Sequence, residues 1–335
     1  MQIAVTGGTG YVGAHIVRAL LAAHHSVRLQ FRAKRGHDEL LRRLSDLGDV
    51  TPIEGDVRDA VAVAELLDGC DALVHGAGVV GTDNRQEELM WEINAYATES
   101  VMRLANDRGL DPIVSVGSYT ALFPPPGPVI GPDTPPATGR SAYAKTKAYG
   151  DKVARRMQSD GAPVVVTYPS SVVGPSFFTV PGISEQGWEI MVRYGVAPSV
   201  KHAAMQMVDV RDVADVHVAL MRPGLGPRRY VCGGELMSFD DIISSIEEGS
   251  GRRLRRIPVS ATMFRAMGRI GDLLNRVLPL GSTFSYEAAQ LVTAAIPTDD
   301  SRTLADLGIT WRSARKAIIE TYRQRGAGPA LIHGR

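Results

Sequence analysis

Cysteine is scarce: Cys70 and Cys232 are the only two in 335 residues. Two thiols cannot build a disulfide framework, neither sits at metal-ligand spacing, and no metal is expected. Both read as small buried hydrophobes in a reducing compartment. A charge excess is missing too. Thirty-seven basic residues oppose 36 acidic ones, for a net charge of +1. Nothing global therefore points to nucleic acid or a membrane surface as a partner. No apolar run reaches the roughly 18–20 residues that cross a bilayer. The chain enters directly through Met1-Gln2-Ile3-Ala4-Val5, without the basic-then-apolar arrangement of a secretory signal, so a cytoplasmic enzyme is expected. There is no internal repeat.

What is there is ordinary for a globular protein: 44% hydrophobic and 22% charged residues. The length allows one large domain with an appended lobe. Short apolar runs alternate with segments of helical period, the pattern of a parallel sheet wrapped by helices. The reading places strands at 2–6, 26–31, 50–53, 72–75, 112–116 and 163–168. Helices follow at 11–23, 38–47, 59–67, 88–109 and 143–159, then helix at 208–221 and strand at 228–232. Seven prolines between 124 and 136 make 123–139 a long loop. The stretch 174–207 reads as irregular, and the chain from about 236 onward as mainly helical.

The first strand runs into Thr6-Gly7-Gly8-Thr9-Gly10-Tyr11-Val12-Gly13, and a helix follows at once. Gly7, Gly10 and Gly13 permit a tight turn, backbone approach to a pyrophosphate and close helix–strand packing, with Thr9, Tyr11 and Val12 lining the same turn. An NAD site places an acidic side chain at the end of the second strand to bind the ribose 2′-hydroxyl. No Asp or Glu precedes Asp38, whereas Arg32, Lys34 and Arg35 follow that strand. Arginine there suits a 2′-phosphate, so NADP(H) is expected over NAD(H), with Arg32 and Arg35 as its readers. Asp56, followed by Val57, is placed to accept from an adenine amine. His75, Gly76 and Ala77 end the fourth strand, where a ribose or nicotinamide must approach backbone. By side chain alone, His75 fits a packed structural role.

Tyr143 and Lys147 start a helix on one face, one turn apart. An ammonium near a phenol favours the phenolate, which lets Tyr143 exchange a proton with a substrate oxygen near neutral pH. Ser118, just past the fifth strand, offers a hydroxyl to orient that oxygen, and Thr120 is the alternative donor. Asn94 either supports the site or braces its helix.

Thr-Gly-x-x-Gly-x-x-Gly, Gly55-Asp56-x-x-Asp59, the serine after strand five and Tyr-x-x-x-Lys, in this order, resemble the extended short-chain dehydrogenases/reductases. This family is also called the NAD-dependent epimerase/dehydratase superfamily. The sequence is most similar to the branch of dihydroflavonol reductases and 3β-hydroxysteroid dehydrogenases, partly through Val27-Arg28-Leu29-Gln30-Phe31-Arg32. Tyr168-Pro169-Ser170-Ser171-Val172 resembles the family segment at the nicotinamide amide, which implies contacts from Pro169, Ser170 and Val172. The resemblance implies a doubly wound α/β fold (Rossmann) with a smaller, mainly helical substrate lobe. Residues 1–171 and 208–235 would hold the dinucleotide, and 172–207 and 236–335 the substrate. It also implies homodimers through helices near 92–108 and 143–158. The expected activity is hydride transfer between NADP(H) and a ketone, aldehyde or secondary alcohol. The apolar content of 174–207 suits a hydrophobic substrate as well as ordinary core. A nucleotide-sugar epimerase is the alternative, although it should carry an acidic residue near Phe31. A dehydratase lacks its acid pair beside Ser118, and a non-catalytic dinucleotide sensor needs neither Tyr143 nor Lys147.

Overall fold

The computed structural model describes residues 1–32, 36–81, 86–277 and 285–327. In chain order the elements are β1 (Gln2–Thr6), α1 (Tyr11–Ala22), β2 (Ser26–Phe31), α2 (Asp38–Ser45), β3 (Val50–Glu54), α3 (Ala60–Leu67), β4 (Ala72–His75) and α4 (Glu87–Met90). A π-helical turn (Trp91–Ala97) leads into α5 (Thr98–Asp107), followed by β5 (Ile113–Val116), a 3-10 turn (Tyr119–Leu122), α6 (Ala142–Ser159), β6 (Val164–Pro169) and β7 (Ser171–Val173). Then come α7 (Ile183–Tyr194), β8 (Val196–Val200), β9 (Ala204–Asp209), α8 (Val210–Ala219), β10 (Arg228–Cys232), β11 (Glu235–Ser238) and α9 (Phe239–Ser250). The last are β12 (Arg255–Val259), α10 (Ala261–Val277), α11 (Tyr286–Thr293), α12 (Ser301–Leu307) and α13 (Ala314–Ala327).

Seven strands form a parallel sheet in the order β10-β6-β5-β4-β1-β2-β3. The order reverses at β1, which pairs with both β2 and β4, so the carboxyl ends of these strands open a crevice at the switch point. Strand alternation divides the core between the two faces of the sheet. Ala4, Leu73, Ile113 and Val164 pack toward Leu66, Val101, Met102 and Val153 of α3, α5 and α6. Ile3, Val5, Val74 and Val165 pack toward Ile16, Val17, Leu20, Val213 and Val216 of α1 and α8. The architecture is the expected doubly wound α/β sheet.

A third core lies outside the sheet and joins Trp188, Met191, Val200, Met207, Phe239, Ile242, Ile246 and Ile318. One expectation changes here. The stretch 174–207 contains α7, β8 and β9 rather than irregular chain, while the lobe, with α7 and α9–α13 against a few short strands, is mainly helical as expected. Its strands make a three-stranded sheet, β11-β9-β7, and a two-stranded one, β12-β8. Such short strands pair across long sequence separations, which local periodicity does not register. The helix expected at 88–109 is interrupted by the π turn, an extra residue per turn that an averaged helical pattern hides. The proline loop is pinned by Ile130, whose backbone accepts from Asp299 and donates to Pro297. No described helix is long and apolar enough to cross a membrane.

Candidate active site

At the switch point, Gly7 sits at φ +72, and a Cβ there would lie 2.4 Å from the Gly76 carbonyl group. A Cβ on Gly13 would fall 2.2 Å from the Gly7 oxygen. Bare backbone is thus required for the turn to close against β4 and for α1 to start where it does. The N-cap of α1 is Gly10, which supplies no side-chain bond, and the first turn holds no acidic residue. By contrast, serine or aspartate side chains cap α3, α6, α8, α9 and α11. The first N–H groups of α1 and its positive dipole end therefore remain available to an anion, the fit a dinucleotide diphosphate needs. The Tyr11 phenol is turned away, donating to the Gly174 carbonyl at 2.7 Å.

Arg32 is exposed at the end of β2. Arg35, with Lys34, lies outside the described residues. Both Asp56 oxygens receive Arg58, Oδ1 from its N–H and Nε and Oδ2 from Nη2. Arg58, and more weakly Arg32, hold the Asp56 carboxyl below its usual range. Asp56 thus positions Arg58, which also pairs with Glu92 at 2.6 Å. Val57 packs into the core.

The His75 side chain is structural. It is buried between Thr6 Oγ1 (2.8 Å) and Thr98 Oγ1 (3.0 Å), and burial followed by the nearby Lys147 charge lowers its pKa to about 3. Ala77 N–H donates to Thr6 Oγ1 at 3.2 Å. Asn94, inside the π turn, accepts from Val79 N–H at 2.7 Å and donates to Val79 O and Thr146 Oγ1. It braces the loop after β4 against α6.

Ser118 and Tyr143 come together, and Lys147, one turn along α6, reaches the end of β5 two residues before Ser118. Ser141 caps α6, and Tyr143 sits in its first turn. Burial raises the Tyr143 pKa, and a hydrogen bond to Ser118 partly offsets that rise. Ser118 Oγ lies 2.8 Å from Thr120 Oγ1, so the two hydroxyls are hydrogen-bonded to each other. Lys147 Nζ donates to the Val116 carbonyl at 3.1 Å, and burial lowers its pKa to about 8. Desolvation governs Tyr143, and Ser118 is the group that acts against it. Further along, Ser170 Oγ donates to Gly233 O at 2.8 Å, fixing the 169–172 segment to the chain after β10. Val172 packs against the α1-side core.

Two partners escaped sequence reasoning. Glu287 of α11 accepts from Ser141 N–H at 2.6 Å and Ser141 Oγ at 2.8 Å, gripping the start of α6 from 146 residues away. Beneath the site, the Tyr168 phenol donates to Asp151, which also pairs with Arg155 at 2.8 Å. Ser141 was legible as a serine before a helix; its carboxylate partner was not.

Residues 3–233 match the NAD dependent epimerase/dehydratase family. Over 343 residues the chain is 27% identical to sterol demethylase protein B of Methylococcus capsulatus, covering 97% of this chain and 99% of that one. It is 26% identical over 346 residues to 4-hydroxy-2-methyl-3-oxo-4-farnesyl-3,4-dihydroquinoline-1-oxide ketoreductase of Stigmatella aurantiaca, with 98% and 97% covered. The fold resembles that of UDP-glucose 4-epimerase from Bifidobacterium longum in complex with NAD+ and UDP, at TM-score 0.75 and 15% identity over 99% and 100% of the two chains. With the family match spanning the glycine turn, the serine and the tyrosine–lysine pair, this chain belongs to the NAD-dependent epimerase/dehydratase family of extended short-chain dehydrogenases/reductases.

Proposed function

We propose that this protein is an NADP(H)-dependent oxidoreductase that interconverts a ketone or aldehyde with the corresponding alcohol, using Tyr143 as general acid and base. The observation that carries this reading is Tyr143 hydrogen-bonded to Ser118, with Lys147 one turn along the same helix. When bound, the dinucleotide supplies or accepts the hydride. Its diphosphate lies on the N-terminus of α1 at Gly7, Thr9, Gly10, Tyr11, Val12 and Gly13. Arg32 and Arg35 take the 2′-phosphate, Asp56 and Val57 flank the adenine, and the 75–77 backbone borders the ribose. Pro169, Ser170 and Val172 face the nicotinamide amide. Ser118 orients the substrate oxygen, Tyr143 gives it a proton in the reductive direction, and Lys147 keeps a positive charge beside the transfer. Segments 1–171 and 208–235 form the dinucleotide unit, and 172–207 and 236–335 enclose an apolar substrate. The protein acts as a cytoplasmic homodimer.

The test is consumption of NADPH with a panel of carbonyl compounds, followed by absorbance. Product should form stoichiometrically with oxidised cofactor. Tyr143→Phe should lower turnover by about 10² or more while dinucleotide affinity barely moves. NADPH should bind more tightly than NADH by roughly 1.5–3 kcal/mol, and Arg32→Ala should remove much of that gap. Purification with stoichiometric NAD, together with isomerisation of a nucleotide sugar without net redox change, would overturn the reading in favour of an epimerase.

A further inference from the structure

The global charge balance conceals a local one. Residues 251–277 hold seven arginines against a single carboxylate, Asp272, a net +6 within a chain of net +1. Arg256 is neutralised by Asp240 and Glu247 of α9. Arg252, Arg253, Arg255, Arg265 and Arg269 form no ion pair with a described residue; Arg252 reaches only the Val192 carbonyl.

The same segment exposes an apolar stripe. Met263, Met267, Ile270 and Leu273 recur at intervals of four, three and three along α10, so they share one face. Their exposures are 53%, 44%, 57% and 60%, too much for side chains packed against the fold. Phe264 and Gly268 occupy the opposite face: Phe264 packs beside Phe239, and a Cβ on Gly268 would fall 2.6 Å from the Ser285 carbonyl oxygen. Arg265 and Arg269, four residues apart, form the row bordering the stripe. On β12, Ile257 is 45% exposed as well, and Arg255 shares its side of the strand.

This helix also borders the candidate site. Asp272 accepts the Tyr286 N–H at 3.1 Å, and the Arg269 guanidinium stands 4.7 Å from the Tyr286 ring centre. The next residue, Glu287, grips Ser141, two positions before Tyr143. The inward side of α10 therefore connects through α11 to the start of the catalytic helix, and the apolar stripe is on the opposite, outward side.

We propose that this face of α10, with its bordering arginines, docks the protein on an anionic lipid bilayer. An amphipathic helix lying in the interface buries its apolar side among acyl chains, and arginines beside it meet lipid phosphates. Unpaired positive charge next to an uncovered apolar stripe selects a negatively charged, apolar-cored surface. A protein partner would need to supply both an apolar groove and a carboxylate rim. The docking does not rest on the oxidoreductase reading.

The experiment is flotation of the full chain with vesicles of phosphatidylcholine plus phosphatidylglycerol, and with phosphatidylcholine alone. The protein should float with the anionic vesicles, less so in high salt, and weakly with the neutral ones. Ile270→Asp and Leu273→Asp should each weaken partitioning by roughly tenfold or more. Arg253→Ser with Arg255→Ser should weaken it on anionic vesicles only. NADPH affinity and melting temperature, unchanged in all variants, establish that the fold survives. No flotation, flotation indifferent to Ile270→Asp, or vesicle-free self-association that Ile270→Asp abolishes would each overturn the docking. Vesicle binding with no NADPH oxidation on any carbonyl would instead sink the redox reading and leave the docking standing.

Discussion

Lys147 keeps its ammonium beside the Val116 carbonyl with a pKa lowered to about 8 by burial. In the reductive direction, kcat/KM should decline as pH rises through about 8, where that charge is lost; a profile flat to pH 10 would remove Lys147 from the mechanism. The same shift affects stability. The folded protein carries a desolvated cation below pH 8, and the penalty fades between 8 and 10.5, where the unfolded chain still holds its proton. Lys147→Met should therefore be more stable than the parent at neutral pH, with the gap closing toward pH 10.5. Glu185 behaves in the opposite sense. It is fully buried, accepts Gly174 N–H at 3.1 Å through one oxygen, leaves the other unpartnered, and has its pKa raised to about 7 by burial. Its ionisation burdens the folded state increasingly from pH 4.5 to 7 and fully above that. Thermal melts should show Glu185→Gln equal to the parent near pH 4.5 and more stable at higher pH. Equal stabilities at every pH would contradict this.

At the level of elements, the start of α6 depends on a contact from the far end of the chain. Ser141→Ala removes the cap and should cost about 1 kcal/mol, measurable by denaturant titration. Glu287→Gln leaves the cap but weakens the grip on it, so kcat should fall while NADPH affinity holds, because the glycine turn shares none of these groups. Equal losses in both would mean a general loosening. At α1, Gly13→Ala forces a Cβ into the Gly7 carbonyl, costs roughly 1–3 kcal/mol and should abolish dinucleotide binding. The glycine spacing and the tyrosine–lysine spacing were legible because each lies within one or two helical turns. The Ser141–Glu287 pair, the Asp56–Arg58 pairing and the π turn at Asn94 were not. The first is non-local, the second competes with a ligand role, and the third is a one-residue insertion.

For the whole molecule, the π turn before α5 and the neighbouring α6 carry a cluster in which the Trp91, Tyr96 and Tyr149 rings meet within about 6 Å of one another, with Tyr96 56% exposed. They lie on or beside the helical segments near 92–108 and 143–158 proposed to meet in a homodimer. Light scattering should find two copies per particle, and Tyr96→Asp should yield monomers; a parent that is monomeric at all concentrations would refute the dimer. This face is distinct from the α10 stripe, so the two variants separate self-association from membrane docking.

By itself the sequence determined the parallel sheet and the glycine turn and singled out Ser118, Tyr143 and Lys147 as candidates, because strand and helix periods and short motifs are local properties of the chain. Tertiary structure alone decided that His75 is spent on Thr6 and Thr98, and that 174–207 pairs into strands with β11 and β12. It also decided that Glu287 holds the start of the helix that carries Tyr143. Each of these depends on desolvation or on contacts between distant residues, and neither exists until the chain has closed around them.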